Sequence, residues 1–224
     1  MTLDEIKAAL IGKGLTPRGA FHPSPSDGVP PLASGRPART LVLAGHAGPA
    51  MWRAFSAEAG TGADPLDGWC RGVLSDLAAA FGGACLFPGQ GPPYLPFQRW
   101  AMRAEPVYLS PIGILIHPDY GLWHGYRGAL ALAERLQLPP RDTRPRPCDS
   151  CAEKPCLKTC PVEAFSADGY DVAACVGHIA SPAGADCMDQ GCRARRACPV
   201  GRDYVYEPVQ ARFHMEAFLG AQQG

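Results

Sequence analysis

Eight of the ten cysteines in this 224-residue sequence lie between residues 148 and 198. A cysteine thiolate is both a nucleophile and a ligand for soft metals, so this concentration predicts thiolate chemistry. The spacings are Cys148-x2-Cys151-x4-Cys156-x3-Cys160-Pro161, then Cys175, then Cys187-x4-Cys192-x5-Cys198-Pro199. The segment therefore holds two groups of closely spaced cysteines, and each group ends in Cys-Pro.

Two Cys-Pro groups are typical of ferredoxins that carry two 4Fe-4S clusters. In these proteins a short loop gives three ligands to one cluster, and the Cys-Pro cysteine of each group ligates the other cluster. Applied to this sequence, the rule predicts two sets of metal ligands. The first set is Cys148, Cys151, Cys156 and Cys198, and the second set is Cys160, Cys175, Cys187 and Cys192. Eight cysteines thus supply the ligands of two clusters, and none is left over.

The spacing within each group departs from the ferredoxin pattern Cys-x2-Cys-x2-Cys-x3-Cys-Pro. The first group has two extra residues between Cys151 and Cys156, and the second group is stretched further. Such insertions either form bulges in the ligand loop or mark the loss of one cluster. Both outcomes stay open. The first cluster is the better supported of the two, because the cysteine spacing of the first group departs less from the ferredoxin pattern.

Zinc is the alternative metal for these thiols. Cys148-x2-Cys151 fits half of a zinc knuckle, and sites of four cysteines are common in zinc proteins. Zinc sites favour paired two-cysteine knuckles and do not require Cys-Pro, whereas each group here supplies at least three cysteines and ends in Cys-Pro. The spacing therefore favours iron–sulfur clusters over zinc.

The N-terminal segment, the apolar runs and the charge balance predict where the protein is located and which classes of partner it binds. The sequence MTLDEIKAALIGKG at the start lacks the features of a signal peptide, which predicts a cytoplasmic location where disulfides are disfavoured. No long apolar run is present, so no membrane contact is expected. Lys and Arg total 21, as do Asp and Glu, and this balance argues against nucleic acid as a partner. The partner that the cysteines predict is a redox partner protein.

Basic residues surround the cysteine motifs. They are Lys154, Lys158, Arg193, Arg195 and Arg196. They could dock an acidic redox partner, or they could raise the potential of a cluster by offsetting its negative charge. They could also form an ordinary solvated loop face, and the sequence leaves these roles open.

Apolar periodicity predicts the elements that precede the cysteines. Thr2 and Glu5 have capping-box spacing at the start of a helix that Gly14 would end. Residues 66–81 repeat apolar positions with a helical period, and a further helix is expected at residues 207–219. The predicted strands are residues 40–45 and 84–87 and two strands within residues 110–134, which His-Pro-Asp-Tyr-Gly joins at a bend.

This alternation of helices and strands favours an α/β or α+β sandwich. The change in cysteine content predicts a first domain over residues 1–145 and a ferredoxin-like 4Fe-4S domain with a closing helix over residues 146–224. Cys70 and Cys85 fall on a helix face and a short strand of the first domain. They are predicted to be buried, inert thiols.

The segment PFQRWAMRAEPVYLSPIGILIHPDYGLWHGYRGALAL, residues 96–132, resembles the core of the cobalamin-processing family that handles vitamin B12 in the animal cytosol. The residues that carry this resemblance are Gln98-Arg99, Ile116-His117-Pro118, Gly121, Trp123 and Arg127-Gly128. A nitroreductase-like corrinoid domain followed by a two-cluster ferredoxin module is also similar to epoxyqueuosine reductases and corrinoid reductive dehalogenases.

The resemblance implies a nitroreductase-like sandwich whose cavity holds a corrinoid such as cobalamin, close to clusters that supply electrons. It implies that His117, Trp123 and Arg127 line this cavity. The residues themselves leave other roles open, because His117 precedes a turn where its ring can bond to backbone, and Arg127 can form an ordinary salt bridge. No catalytic acid is evident, and Asp119 and Tyr120 are suggested by their position alone.

The sequence thus predicts an iron–sulfur redox protein that transfers single electrons through 4Fe-4S clusters. With a corrinoid bound, it would act as an oxidoreductase that reduces cobalt or removes its upper ligand. One alternative is a non-enzymatic binding protein braced by zinc or by a single structural cluster. The other alternative is a simple ferredoxin-type electron carrier.

Overall fold

The structure is a computed structural model, and it describes residues 1–58, 62, 64–166 and 169–222. The chain packs as two compact units. Unit 1 consists of Met1–Pro106 and His124–Thr143, and unit 2 consists of Val107–Trp123 and Arg144–Gly224. Val107–Trp123 therefore packs with the cysteine-rich segment, although it comes earlier in the sequence. The predicted functional division at residue 145 remains a prediction.

The fold is α+β, as the sequence predicts. The helices are α1 (Leu3–Gly12), α2 (Ala50–Glu58), α3 (Pro65–Ala80), α4 (Phe97–Ala104), α5 (Pro155–Lys158), α6 (Val172–Ile179), α7 (Ala185–Gln190), α8 (Arg193–Arg196) and α9 (Pro208–Ala221). The strands are β1 (Thr16–Phe21), β2 (Thr40–Ala47), β3 (Ala84–Leu86), β4 (Tyr108–Leu109), β5 (Leu115–Ile116), β6 (His124–Leu132), β7 (Phe165–Ser166) and β8 (Gly169–Tyr170). Over the described ranges, none of these helices has the length and apolar character needed to cross a membrane.

Unit 1 is built on a four-stranded antiparallel sheet with the strand order β1-β2-β6-β3. Every residue of β2 is buried, because this strand lies between β1 and β6 and is covered by the helices of the unit. α3 packs against both β3 and β6. The sheet and its helices thus form one core that holds the side chains of β6 in fixed positions.

Several predicted elements of this unit are confirmed. Thr2 Oγ1 accepts the backbone N–H of Glu5 at 3.2 Å, and the Glu5 carboxylate accepts the N–H of Thr2 at 2.7 Å. The capping box is therefore complete, and α1 buries Leu3, Ile6 and Leu10 as the periodicity predicts. α3, β2 and β3 also lie where the sequence places them.

The sequence does not predict β1 or α2. β1 contains Pro17 and Gly19, which disfavour a strand interior but are accepted at the edge of a sheet. The pairing of β1 with β2 shifts between Pro17 and Ala20, and Gly19 has a φ of 73° in that bulge. Tertiary pairing therefore forms a strand from residues of low intrinsic β-propensity.

Arg18 lies in the same bulge and is fully buried, with 0% exposure. Its Nη2 donates to Glu105 Oε1 at 2.6 Å, and its Nη1 donates to the His46 carbonyl at 3.0 Å. The Tyr126 hydroxyl donates to the same Glu105 oxygen. A buried charge is costly unless it is paired in this way, so the network ties β1 to the end of α4 and to β6.

Cys70 and Cys85 are the thiols of unit 1, and the protein shields both of them. Cys70 is 1% exposed in α3, and Cys85 is half-buried in β3. Burial raises the pKa of the Cys70 thiol to about 11 and the pKa of the Cys85 thiol to about 12. Because the thiolate is the reactive form, both side chains should be inert near neutral pH.

We expect iodoacetamide at pH 8 to alkylate Cys70 and Cys85 far more slowly in the folded protein than in urea. With a pKa near 11, about a thousandth of the Cys70 thiol is ionised at this pH, against roughly a quarter for a free cysteine. Peptide mass spectrometry after timed quenching measures both rates. Equal rates in folded and unfolded protein would contradict the burial of these thiols.

Unit 2 is assembled from short elements. Val107–Trp123 contains the β4–β5 pair and a tight turn in which His117 and Gly121 exchange two backbone hydrogen bonds of 2.9 Å. β7 pairs with β8, α5 packs against α8, and α7 packs against α9. α9 is the closing helix that the sequence predicts at residues 207–219. Cys156, Cys175 and Cys187 lie on α5, α6 and α7, and the other five cysteines of the unit lie outside the α-helices.

Candidate metal centre

Four thiols form a first group in unit 2, which consists of Cys148, Cys151, Cys156 and Cys198. Burial raises the pKa of Cys148, Cys156 and Cys198, and the neighbouring thiols of the same group raise it further. Charges in a protein influence one another over roughly 10 Å, the Debye length at moderate ionic strength. The four cysteines of the first predicted ligand set therefore lie in one neighbourhood of unit 2.

The other four cysteines of the unit form a second group, which consists of Cys160, Cys175, Cys187 and Cys192. Burial raises the pKa of Cys175 and of Cys192, and both are raised further by Cys187. Cys160 also raises the pKa of Cys175. These pairwise effects join thiols of the second predicted set, and the assignment of eight cysteines to two clusters stays a prediction.

The packing of α5 against α8 agrees with the predicted exchange of the Cys-Pro cysteines. Each of the two short helices is followed by a Cys-Pro cysteine, Cys160 after α5 and Cys198 after α8. The Thr159 hydroxyl at the end of α5 lies 3.5 Å from the Arg193 carbonyl at the start of α8. Because the two helices contact each other, each Cys-Pro cysteine is carried toward the thiols of the other group.

The extra residues between Cys151 and Cys156 form a bulge. Lys154 has a left-handed backbone with a φ of 40°, and Pro155 then begins α5. Proline suits the first turn of a helix, where its missing N–H has no partner to lose. The insertion is taken up on the exposed side of the loop, and Cys151 and Cys156 remain in the same group.

Several thiol sulfurs accept hydrogen bonds. The backbone N–H of Ala164 donates to Cys160 Sγ at 3.4 Å. The further donors are the N–H groups of Ala194 and Arg195 to Cys192, the N–H group of Val200 to Cys198, and the Tyr170 hydroxyl to Cys175. Donors of this kind stabilise the thiolate form that metals bind. Two sets of four thiols with such donors fit the ligand requirement of two 4Fe-4S clusters.

A single metal ion would need a tighter arrangement. Thiolates on one tetrahedral zinc ion have sulfurs about 3.8 Å apart, since each Zn–S bond is about 2.3 Å long. Among the residues that the structure describes, no group of three or more His, Cys, Asp or Glu side chains could hold a metal ion in this way.

Val107–Trp123 supplies an apolar floor for the thiols. Ile112, Ile116 and Leu122 form a buried cluster with Ala194 and Cys198. The cysteines that pack against this cluster are Cys148, Cys156 and Cys192. This segment therefore shields members of both thiol groups from water.

His117 has a structural position in the turn of this segment. It is 5% exposed, and its Nδ1 accepts the backbone N–H groups of Asp119 at 3.0 Å and Tyr120 at 3.3 Å. Its ring stacks on Tyr120 with the centroids 4.2 Å apart. This is the turn histidine bonded to backbone that the residues alone allow, and its predicted contact with a corrinoid stays a prediction.

The turn rests directly on the loop that follows Cys198. Gly121 has a φ of 56°, and a Cβ atom there would overlap the Val200 carbonyl. Gly201 has a φ of 75°, and a Cβ atom there would overlap the backbone of Tyr120. Only glycine allows this contact between two backbones at positive φ. The His-Pro-Asp-Tyr-Gly turn thus supports the loop that presents Cys198.

Trp123 is part of the core of unit 2, with 1% exposure. Its ring meets Tyr206 edge-on with the centroids 5.2 Å apart, and the Arg195 guanidinium lies 4.7 Å from the Trp123 centroid. Arg195 also donates two hydrogen bonds to the Leu122 carbonyl, at 2.6 and 3.0 Å. A role for Trp123 in lining a corrinoid cavity stays a prediction.

Arg127 belongs to unit 1, whereas His117 and Trp123 belong to unit 2. Its Nη1 lies 3.3 Å from Asp67 Oδ1, which is the salt bridge that the residues alone allow. The three predicted corrinoid contacts are therefore not members of one unit. Asp119, which position alone suggests as a catalytic acid, binds Arg144 through both carboxylate oxygens at 2.7 Å.

Most of the basic residues near the motifs have partners within unit 2. Lys158 pairs with Glu153 at 3.4 Å, and Arg193 pairs with Asp186 at 2.6 Å. Arg196 binds the same Asp186 carboxylate. These pairs neutralise charge locally, which favours the solvated loop face over a basic docking patch. Docking of a redox partner protein stays a prediction.

The comparisons with known proteins agree with the fold. No family model and no curated protein matches this sequence. Among solved structures, the structure of epoxyqueuosine reductase from Streptococcus thermophilus is similar, with a TM-score of 0.55 and 15% sequence identity over 94% of this chain and 70% of that chain. This chain therefore has a fold like that of epoxyqueuosine reductase.

Proposed function

We propose that this protein is an iron–sulfur redox protein that holds two 4Fe-4S clusters and transfers single electrons through them. The observation that supports the proposal is the mutual influence of thiols within each predicted set: Cys148, Cys151 and Cys198 raise the pKa of Cys156, and Cys160 and Cys187 raise the pKa of Cys175. Spacing alone predicts the two sets from the ferredoxin rule. The fold shared with an epoxyqueuosine reductase, whose name denotes a reductase, supports a redox role.

The residues of unit 2 suit this function in three ways. The thiolates supply four ligands to each cluster, and each bound cluster gains or loses one electron. The N–H donors to Cys192 and Cys198 stabilise the negative charge of the sulfurs. The apolar floor of Ile112, Ile116 and Leu122 excludes water. Burial and hydrogen bonds to sulfur are the features by which a protein sets a cluster potential.

The cysteine spacing favours clusters over zinc. Each group supplies at least three cysteines and ends in Cys-Pro. Zinc sites favour paired two-cysteine knuckles and do not require Cys-Pro.

The finer proposal concerns the electron acceptor. The resemblance of residues 96–132 to cobalamin-processing proteins suggests a corrinoid, with cobalt reduction or removal of its upper ligand as the reaction. The protein would then be an oxidoreductase. A simple electron carrier that recognises a partner protein is the second candidate, because His117 and Trp123 are held by contacts within unit 2.

Two experiments on protein purified without oxygen test the proposal. One tests electron transfer through the clusters, and the other tests whether a corrinoid is the electron acceptor. Titration with dithionite, followed by visible absorption and electron paramagnetic resonance, should show uptake of about two electrons per chain. A cluster that no reductant in the physiological range can reduce would instead favour a structural brace. Added cobalamin should give a base-off spectral change, and reducible clusters without that change would identify a simple carrier.

A further inference from the structure

A small cavity in unit 1 lies outside the cysteine site. It has a volume of about 110 Å³, and Asp67, Cys70, Arg71 and Arg127 are among the residues that line it. α3 supplies the first three of these residues, and β6 supplies Arg127. At roughly 30 Å³ per water molecule, the cavity has room for a few waters or for one group of phosphate size.

Arg127 enters this cavity from an irregular point of β6. In the pairing of β2 with β6, Ala44 faces Gly128 and Gly45 faces Tyr126, so Arg127 is the extra residue on its strand. An extra residue of this kind redirects a side chain, and such bulges are frequent beside functional sites. We infer that the bulge in β6 directs the guanidinium group of Arg127 toward the cavity.

The guanidinium of Arg127 has donor capacity that the protein does not use. Its side chain is 19% exposed, and its Nε is buried without a hydrogen-bond partner among the described residues. Its Nη1 is engaged with Asp67 at 3.3 Å. Buried polar atoms are nearly always hydrogen-bonded in proteins, so a buried N–H group on a residue that lines a cavity points to an acceptor in that cavity.

The charges around the cavity favour an anion as that acceptor. Arg71 contributes a second guanidinium, which is held 4.5 Å from the centroid of the Phe87 ring. Asp67 neutralises one of the two positive charges, and Cys70 is uncharged because burial raises its pKa to about 11. One net positive charge and planar forks of N–H donors match a tetrahedral oxyanion.

We propose that this cavity binds a phosphate group, either free or as the terminal group of a larger ligand. Arg127 holds it through the buried Nε, and Arg71 holds it from α3. Asp67 competes with the ligand for Arg127. This site is independent of the clusters, because all the residues that carry it belong to unit 1.

Isothermal titration of the 224-residue protein with inorganic phosphate tests the proposal, with chloride at equal ionic strength as the reference. Arg127→Gln should weaken phosphate binding about tenfold or more, because charge-assisted hydrogen bonds to the anion are lost. Asp67→Asn should strengthen it several-fold, because the competing carboxylate is removed. Arg39→Gln, at an exposed arginine of the same unit outside the cavity, should leave it unchanged.

The gain expected from Asp67→Asn keeps the test decisive if Arg127→Gln does not fold. Methyl phosphate is titrated in parallel, and tighter binding than inorganic phosphate would identify a terminal phosphate as the ligand group. Equal or weaker binding of the ester would identify free phosphate. Phosphate that binds no better than chloride, or equal binding by Asp67→Asn and the native protein, would overturn the proposal.

Discussion

Replacing Cys148 and Cys198 together by alanine is expected to leave one of the two clusters intact, with about four iron atoms and four sulfides per chain. Replacing Cys148 and Cys160 together should remove both clusters. The reason is the exchange of Cys-Pro cysteines, which puts Cys148 and Cys198 in one set and Cys160 in the other. Alanine is chosen because the oxygen of serine can replace sulfur as a ligand.

These two double variants distinguish two arrangements of the cluster ligands. In one, the Cys-Pro cysteines are exchanged between the groups, and in the other each group of neighbouring cysteines ligates its own cluster. If each group of neighbouring cysteines held its own cluster, the outcomes would be reversed, because Cys148 and Cys160 would then share a cluster. Iron and sulfide analysis after anaerobic reconstitution gives the result directly. Cys70→Ala, at a thiol of unit 1, is the control and should keep both clusters. If the Cys148 and Cys160 double variant lost only one cluster and kept the other, the assignment of the ligands would be contradicted.

Gly121→Ala is expected to destabilise unit 2 by about 3 kcal/mol or more. The added Cβ would overlap the Val200 carbonyl, and Gly121 has a φ of 56° that alanine adopts only with strain. The affected contact supports the loop that presents Cys198. We therefore also expect the variant to lose the first cluster in preference to the second.

Gly113→Ala is the matched control in the same segment. Gly113 has a φ of 80°, and a Cβ atom there would meet nothing within 4 Å. It should cost only the strain of the left-handed backbone, about 1 kcal/mol. Urea unfolding of both variants measures the difference. Equal losses of stability would show that backbone strain, and not the contact with Val200, dominates at Gly121.

The sequence predicts a division of the thiols into two sets. In the ferredoxin pattern the first three cysteines of a group ligate one cluster, and the Cys-Pro cysteine that follows after three intervening residues ligates the other cluster. This pattern assigns Cys160 and Cys198 to opposite sets, and in the structure Cys198 raises the pKa of Cys156 while Cys160 raises the pKa of Cys175. The two full ligand sets stay a prediction. The metal bound by these thiols remains a prediction, since the spacing specifies thiol neighbours and not the ion.

The position of Val107–Trp123 could not be predicted. The apolar pattern of Ile112, Ile116 and Leu122 indicates that these side chains are buried, but it does not indicate in which core. The resemblance assigned the segment to a corrinoid domain, whereas it packs in unit 2 with the cysteines. The signal that could have indicated this is Gly121, since a glycine after a tight turn often permits a close backbone contact.

The buried face of helix α9 could not be predicted from the sequence either. The spacing of Val209, Phe213 and Ala217 predicts the helix correctly, but Val209 is 63% exposed and the buried side chains are Gln210 and Ala211. A small unit does not have enough apolar surface to give each helix one continuous apolar face. The period of such a helix can therefore be predicted, although the face that is buried cannot.

The central claim is that eight cysteines hold two 4Fe-4S clusters, and the metal and acid-labile sulfide content of protein purified without oxygen tests it most directly. We expect the native protein to contain about eight iron atoms and eight sulfides per chain. The Cys148 and Cys198 double variant, measured beside it, should contain half of each. Zinc with no labile sulfide in the native protein would contradict the account.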